Sequence, residues 1–156
     1  MRDPYLYPDV DVLKNKKNIK EQTQLDKLEE DIVPLRMIAL RKEGLFIKSV
    51  FDIQKIHQYL FSSIFDWAGE FRKITMYKKE PILNGCSVDY TPSDYIEKEM
   101  KDLENKFIAI NWKELSNKEK IEKVSSIVQG LSMIHSLFFE GVSSSFSSSS
   151  SLLLPL

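Results

Sequence analysis

The sequence predicts a mostly α-helical bundle bearing a small β-hairpin, and three observations carry that expectation. Apolar residues recur at three- and four-residue spacing in four separate stretches, the signature of amphipathic helices. Between the second and third stretches the period changes to a short β-branched and aromatic run, FRKITMY, followed by an Asn-Gly turn signal. The links between stretches are short, which suits neighbouring helices packed around one core.

Residues 1–20 hold Pro4, Pro8, the pair Tyr5 and Tyr7, and a lysine-rich stretch, which predicts an extended arm with aromatic anchors leading into a short helix. From Glu21, the residues Leu25, Leu28, Ile32, Leu35 and Ile38 repeat at helical spacing. Pro34 lies inside that pattern and predicts a kink or a break, and Gly44 supplies a stop. A second helix is expected after Val50-Phe51, with Asp52 as N-cap, a stripe of Ile53, Ile56, Leu60 and Ile64, and an end near Trp67-Ala68-Gly69. His57, between Ile56 and Gln58, falls on a polar side of that helix and reads as structural; Trp67 and Phe71 read as core anchors.

Residues 72–90 form the expected hairpin, turning at Asn84-Gly85 and returning through Val88-Asp89-Tyr90. Ser93 or Asp94 can cap a third helix carrying Tyr95, Ile96, Met100, Leu103 and Phe107. A fourth follows Ser116, with Glu119 three residues on completing a capping box. Its stripe of Ile121, Val124, Ile127, Val128, Leu131 and Ile134 runs straight into His135. After Glu140 there is no charge: residues 143–156, SSSFSSSSSLLLPL, do not read as a continuation of the domain in residues 1–142.

Composition narrows the function classes. A chain of 156 residues with 42% hydrophobic and 29% charged residues fits one globular domain. Lys+Arg 22 against Asp+Glu 23 leaves a net charge of −1, so nothing global favours nucleic acid. The local cluster Lys14, Lys16, Lys17 and Lys20 lacks interleaved exposed aromatics and reads as a solvated face. Cys86 is the lone cysteine, which excludes an intrachain disulfide and favours a reducing compartment. The start MRDPY lacks the apolar stretch of a secretory signal, and no segment approaches the roughly 18 apolar residues of a membrane span. A cytoplasmic protein with no membrane partner is expected.

Four segments in this order, DPYLYPDVDVLKNKKNIK, LDKLEEDIVPLRMIALRK, FDIQKIHQYLFSSIFDWAGEFRKI and MIHSLFFEG, together resemble the Fic (filamentation induced by cAMP) family across roughly residues 3–141. IHQYLFSSIFDWAGEFR is the most specific of them. The resemblance implies a helical bundle with a β-hairpin flap that transfers AMP from ATP, with Mg²⁺, to a hydroxyl of a target protein. The family's active loop reads His-Pro-Phe-x-(Asp/Glu)-Gly-Asn-Gly-Arg. By itself His135, ending an apolar helix, reads as a helix cap; the resemblance implies the general base, a task that suits an imidazole titrating near neutrality. It likewise implies Glu140 as the Mg²⁺ ligand and Gly141 in the phosphate-binding turn. The loop departs from the pattern: there is no proline after His135, Glu140 lies five residues after it where the family has four, and Val142 and serines replace Asn, Gly and Arg.

In the family the flap pairs with an extended target segment by β-augmentation. The resemblance therefore implies docking of a target protein at about Lys73–Tyr90, with Ile74, Met76, Pro81 and Ile82 clamping the modified residue. Some members carry an inhibitory pattern, (Ser/Thr)-x-x-x-Glu-(Gly/Asn); its nearest match here, Ala39 to Gly44, lacks the hydroxyl and reads as scaffold. Two other readings stand beside the enzyme: a catalytically inactive peptide-binding module, and a toxin component controlled by a separate small antitoxin.

Overall fold

The computed structural model describes residues 3–44, 47–75, 77–79 and 87–134. Among these are four α-helices, α1 (Gln22–Glu43), α2 (Asp52–Phe61), α3 (Ile96–Ile108) and α4 (Asn117–Ile134), and two short strands, β1 (Tyr77–Lys79) and β2 (Ser87–Asp89). The fold is mostly helical, as the periodicity predicts. β1 and β2 pair antiparallel, with Tyr77 opposite Asp89 and Lys79 opposite Ser87. The expected Asn84-Gly85 turn lies outside the described residues, so the structure holds two paired strands and not the turn between them.

The described residues divide into two compact units. The first comprises residues 3–44 and 56–69. Its arm contains no helix over residues 3–20, contrary to the sequence expectation; it is pinned by backbone and side-chain hooks instead. Leu6 bridges Leu13, and the Lys14 amide donates to the Tyr5 carbonyl at 2.8 Å. Buried Asn15 replaces helical bonds with its own amide: Nδ2 donates to the carbonyls of Leu13 (2.9 Å) and Ile19 (2.7 Å), and Oδ1 accepts from the Ile19 amide (2.9 Å). The four lysines are exposed, as the solvated-face reading expects, and Lys16 and Lys20 also fasten the arm. Lys16 Nζ donates to the Ser62 carbonyl at 2.7 Å and pairs with Asp66 at 3.5 Å, and Lys20 meets Asp9 at 2.7 Å.

α1 runs unbroken through Pro34, which corrects the expected break. Pro34 is exposed and costs one donor, which the rest of a 22-residue helix tolerates. Gly44, at φ 77°, ends it with its amide on the Arg41 carbonyl at 3.3 Å. The buried face is also not the expected stripe. Leu25, Glu29 and Val33, four apart, are buried, whereas Leu35 and Ile38 are exposed. Around these the unit buries Leu60, Phe61, Ile64, Phe65 and Ala68. Phe65 stacks on Trp67 with centroids 4.5 Å apart, and Tyr5 meets the same indole edge-on at 5.6 Å.

The second unit comprises residues 47–55, 70–75, 77–79 and 87–134. Val50, Ile96, Met100, Leu103 and Ile134 form its core, with Phe51, Ile53, Phe71, Phe107, Ile127 and Leu131 packed against it. Gly130 lets α4 approach α3 closely, since a Cβ there would lie 2.8 Å from Leu103 Cδ1. Of the predicted α4 stripe, Ile121 and Val128 are exposed, because the buried face turns toward Ile127, Leu131 and Ile134. The capping box is present: Glu119 Oε2 accepts from the Ser116 amide (2.9 Å) and hydroxyl (2.6 Å), holding its carboxyl below the ordinary value.

Two expected caps are corrected. Asp52 is the first residue of α2, not its N-cap, and its carboxylate reaches backwards to the amides of Lys48 (2.9 Å) and Ser49 (3.2 Å). The Lys55 ammonium, then these amides, hold that carboxyl below its usual range. α2 stops at Phe61, short of the expected Trp67 region. α3 has no side-chain cap; a 3₁₀ turn over Ser93–Tyr95 leads into it, and Tyr95 is exposed instead of joining the core.

Candidate functional site

In the second unit a group of polar contacts converges at Ile134 of α4. Ile134 is the last described residue of α4 and is buried. Its carbonyl is met by Arg72. Its Nη2 donates to the Ile134 carbonyl at 3.1 Å and also to the Thr91 carbonyl, and its Nη1 donates to the Ile74 carbonyl at 2.6 Å. The side chain is 2% exposed. A guanidinium suits this place because its planar fork serves several acceptors at once.

Two further contacts knit the same junction. The Thr91 amide donates to the Met133 carbonyl at 3.3 Å, and the Ser93 amide donates to Thr75 Oγ1 at 3.3 Å. Ile74–Thr75 and Thr91–Ser93 are the segments that flank β1 and β2. The feet of the paired strands are thus tied to each other and to the last turn of α4.

The predicted site residues distribute unevenly over this frame. Ile74 is half-buried, and its carbonyl accepts from Arg72. His135, Glu140 and Gly141, with Met76, Pro81 and Ile82, lie outside the described residues. Among the described residues no cluster of three or more His, Cys, Asp or Glu side chains could hold a metal ion. Sequence reasoning passed over Arg72, Thr75, Thr91 and Ser93. Arg72 alone had left a signal, as a charged residue closing the specific segment FDWAGEFR.

His57 is structural, as expected, but it is buried and not on a polar face. Its Nδ1 accepts from the Gly69 amide at 2.8 Å, and its ring packs on Phe61 at 4.8 Å. Gly69 takes φ 86°, a conformation open to glycine, and so can present that amide to the imidazole. Glu29 is the most perturbed acid. It is 4% exposed with no hydrogen bond to either carboxylate oxygen, and burial, with Asp26 adding a smaller repulsion, pushes its carboxyl up to about 7.

Comparison with known proteins gives the geometry a family. The chain is 28% identical over 138 residues to the probable protein adenylyltransferase Fic of Escherichia coli, across 86% of this chain and 64% of that protein. It therefore spans less than two thirds of that relative. Among solved structures, the N-terminal FIC domain of a VirB-translocated effector protein of Bartonella sp. 1-1C superposes with a TM-score of 0.75 at 25% identity, over 92% of this chain and 70% of that one. The BepC protein of Bartonella tribocorum, solved with bound AMPPNP, matches with a TM-score of 0.70 at 25% identity, over 88% of this chain and 70% of that one. No family model matches. No described helix is long and apolar enough to cross a membrane. The chain is thus similar in sequence to the Fic adenylyltransferases and shares the fold of solved Fic domains.

Proposed function

We propose that the chain is a Fic-type protein AMP transferase domain whose loop after His135 is incomplete as written. The observation that carries this reading is the agreement between the relatives' adenylyltransferase names and the fold shared with solved Fic domains. In this mechanism a hydroxyl oxygen of the target attacks the α-phosphorus of ATP. His135 takes the hydroxyl proton, the bond from the α-phosphorus to the bridging oxygen breaks, and pyrophosphate leaves. The hydroxyl oxygen must lie in line with the bond that breaks, and the base within hydrogen-bond reach of the hydroxyl proton. AMPPNP bound to the BepC protein supports ATP as the nucleotide. Mg²⁺ would supply counter-charge for the phosphates, with Glu140 its only candidate ligand here; no donor cluster among the described residues adds to it.

A separate observation favours a second reading. Val142, Ser143 and Ser144 stand where the family has Asn, Gly and Arg, so the phosphate grip is missing from the written chain. Such a chain would act as a docking module, using the edge of the paired strands for a target segment. Control by a small antitoxin and a cytoplasmic setting accompany both readings.

Transfer of labelled AMP to candidate targets tests the enzyme. In a variant with Val142→Asn, Ser143→Gly and Ser144→Arg, adding His135→Ala should lower transfer roughly 10²–10⁴-fold with little change in ATP affinity. The chain as written should transfer little. Strong transfer by the written chain would show that the nucleotide site has been misplaced. Docking is tested separately with Ile74→Pro, which removes a backbone donor at the foot of β1; a folded variant that still binds its target would refute it.

A further inference from the structure

We propose that the bond between His57 and Gly69 is an acid-sensitive latch: a neutral imidazole holds the turn at residues 66–69 closed, and its protonation releases that turn. Both residues belong to the first unit, and the latch stands apart from the AMP transferase reading.

The geometry demands an uncharged ring. The Gly69 amide donates to His57 Nδ1 at 2.8 Å, so that nitrogen must offer a lone pair. In the imidazolium both ring nitrogens are donors, and an N–H would face an N–H across the same gap. The ring has little room to turn away. His57 is 1% exposed, with the Phe61 ring at 4.8 Å and Trp67 nearly parallel to it at 6.0 Å. Gly69 presents its amide from φ 86°, so the bond and the closed turn form together. Trp67, inside that turn, also stacks on Phe65 at 4.5 Å. Release of the turn therefore disturbs the aromatic stack locally.

The charged groups on the surrounding segments are committed elsewhere or neutral in acid. On the turn, the Asp66 side chain is 85% exposed and pairs with Lys16 at 3.5 Å. On the arm, Asp3 accepts from the Tyr5 amide at 2.8 Å. Arg36 of α1 lies over the Tyr59 ring of α2, 5.8 Å from its centroid. Glu29 of α1 is buried with no hydrogen bond to either oxygen. Burial, with Asp26 adding to it, pushes its carboxyl up to about 7, so in mild acid it is neutral and offers an imidazolium no counter-charge.

The sign follows from proton counting. The latched turn binds one proton fewer than the released one. The latch therefore holds above the ordinary imidazole value of about 6.5 and weakens as pH falls below it, by up to about tenfold per pH unit. Glu29 acts in the opposite sense, since its ionisation costs stability as pH rises. An amide in the turn separates the two effects where a global melt would mix them.

Hydrogen exchange of the full chain, corrected for the intrinsic pH dependence of exchange, tests the latch. Protection of the Gly69 amide should fall roughly tenfold between pH 6 and pH 5, while the Val33 amide inside α1 keeps its protection. Unchanged protection at Gly69 would overturn the proposal, as would an equal loss at Val33, which would mean that the whole unit loosens. In His57→Asn the side-chain oxygen can accept from the Gly69 amide without titrating, so the acid loss should vanish; its persistence would overturn the proposal. Glu29→Gln should leave the acid loss intact, and its disappearance there would assign the switch to Glu29 instead. Should His57→Asn fail to fold, the wild-type protein decides the matter. Its His57 ring should take up its second proton over the pH range in which Gly69 loses protection, whereas an imidazolium beside a protected Gly69 amide would overturn the latch.

Discussion

The two units solve the same problem, fixing a chain around a small core, with different materials. The first is sewn by polar hooks onto an aromatic stack: Asn15, Lys16 and His57 fasten backbone to backbone around Tyr5, Phe65 and Trp67. The second packs aliphatic faces of α3 and α4 and gathers carbonyls from three segments on Arg72, beside separate polar networks at Asp52 and Ser116. The first distributes its fastening over many local contacts, so no single polar loss should move a distant atom. In the second, one side chain holds both the segments that flank the paired strands and Ile134 of α4.

The largest effect that would sharpen this contrast is in the aromatic stack. Phe65→Ala should destabilise the protein by about 3–5 kcal/mol, because the ring is 1% exposed and Trp67 cannot collapse fully into the void. Met100→Ala in the second unit should cost about 2–4 kcal/mol, because Met100 is fully buried but the buried cluster it belongs to, Val50, Ile96, Leu103 and Ile134, is otherwise aliphatic and can partly close the gap. Urea denaturation measures both. A Phe65→Ala cost below that of Met100→Ala would break the distinction between a stiff aromatic core and an adaptable aliphatic one.

A second effect tests whether the first unit carries a strained group, as the Arg72 junction does not. Glu29 titrates at about 7 in the fold against an ordinary 4.5. Below pH 4.5 the acid is protonated folded and unfolded, and its burial carries no ionic penalty. Between 4.5 and 7 only the unfolded chain ionises, so stability falls as pH rises, and above 7 the loss is complete. The loss is roughly 3 kcal/mol. Glu29→Leu should remove this slope and be the more stable protein at pH 8. Thermal melts of both proteins from pH 5 to pH 8 measure it, and parallel curves would show that Glu29 is not the group responsible.

The same residue shows where legibility ended. Periodicity located all four helices, because a helix needs only its apolar spacing to announce itself. It misjudged which face of α1 is buried, because Glu29 occupies the core position between Leu25 and Val33, where an acid breaks the apolar pattern. It overextended α2, because Ile64 and Phe65 keep an apolar spacing that the chain buries outside the helix. Asp52 was read as a cap because local propensity does not say whether a carboxylate reaches forwards or backwards. The candidate site was legible only through the family's motif at His135. Arg72 escaped because carbonyls from residues 74, 91 and 134 are among its partners, and main-chain acceptors leave no trace in sequence.

The smallest effect lies at the start of α4, the end remote from the Arg72 junction along that helix. There the sequence was read correctly, since a capping box is a local pattern that needs no tertiary information. Ser116→Ala deletes the hydroxyl that donates to Glu119 at 2.6 Å, while the Ser116 amide bond to the same carboxylate can persist. The melting temperature should fall by about 4 °C at pH 7. Glu119 is held below its ordinary value by these bonds, so the stabilisation exists where it is ionised and fades as pH drops through its folded value. The gap between wild type and Ser116→Ala should therefore narrow in acid. Frayed amides at the first turn of α4 should exchange faster in the variant, while the Thr91 amide, bonded to Met133 at the other end, keeps its rate. If loosening the start of α4 also released Thr91, the helix would be transmitting strain along its length, and the concentration of control at Arg72 would no longer distinguish the second unit from the first.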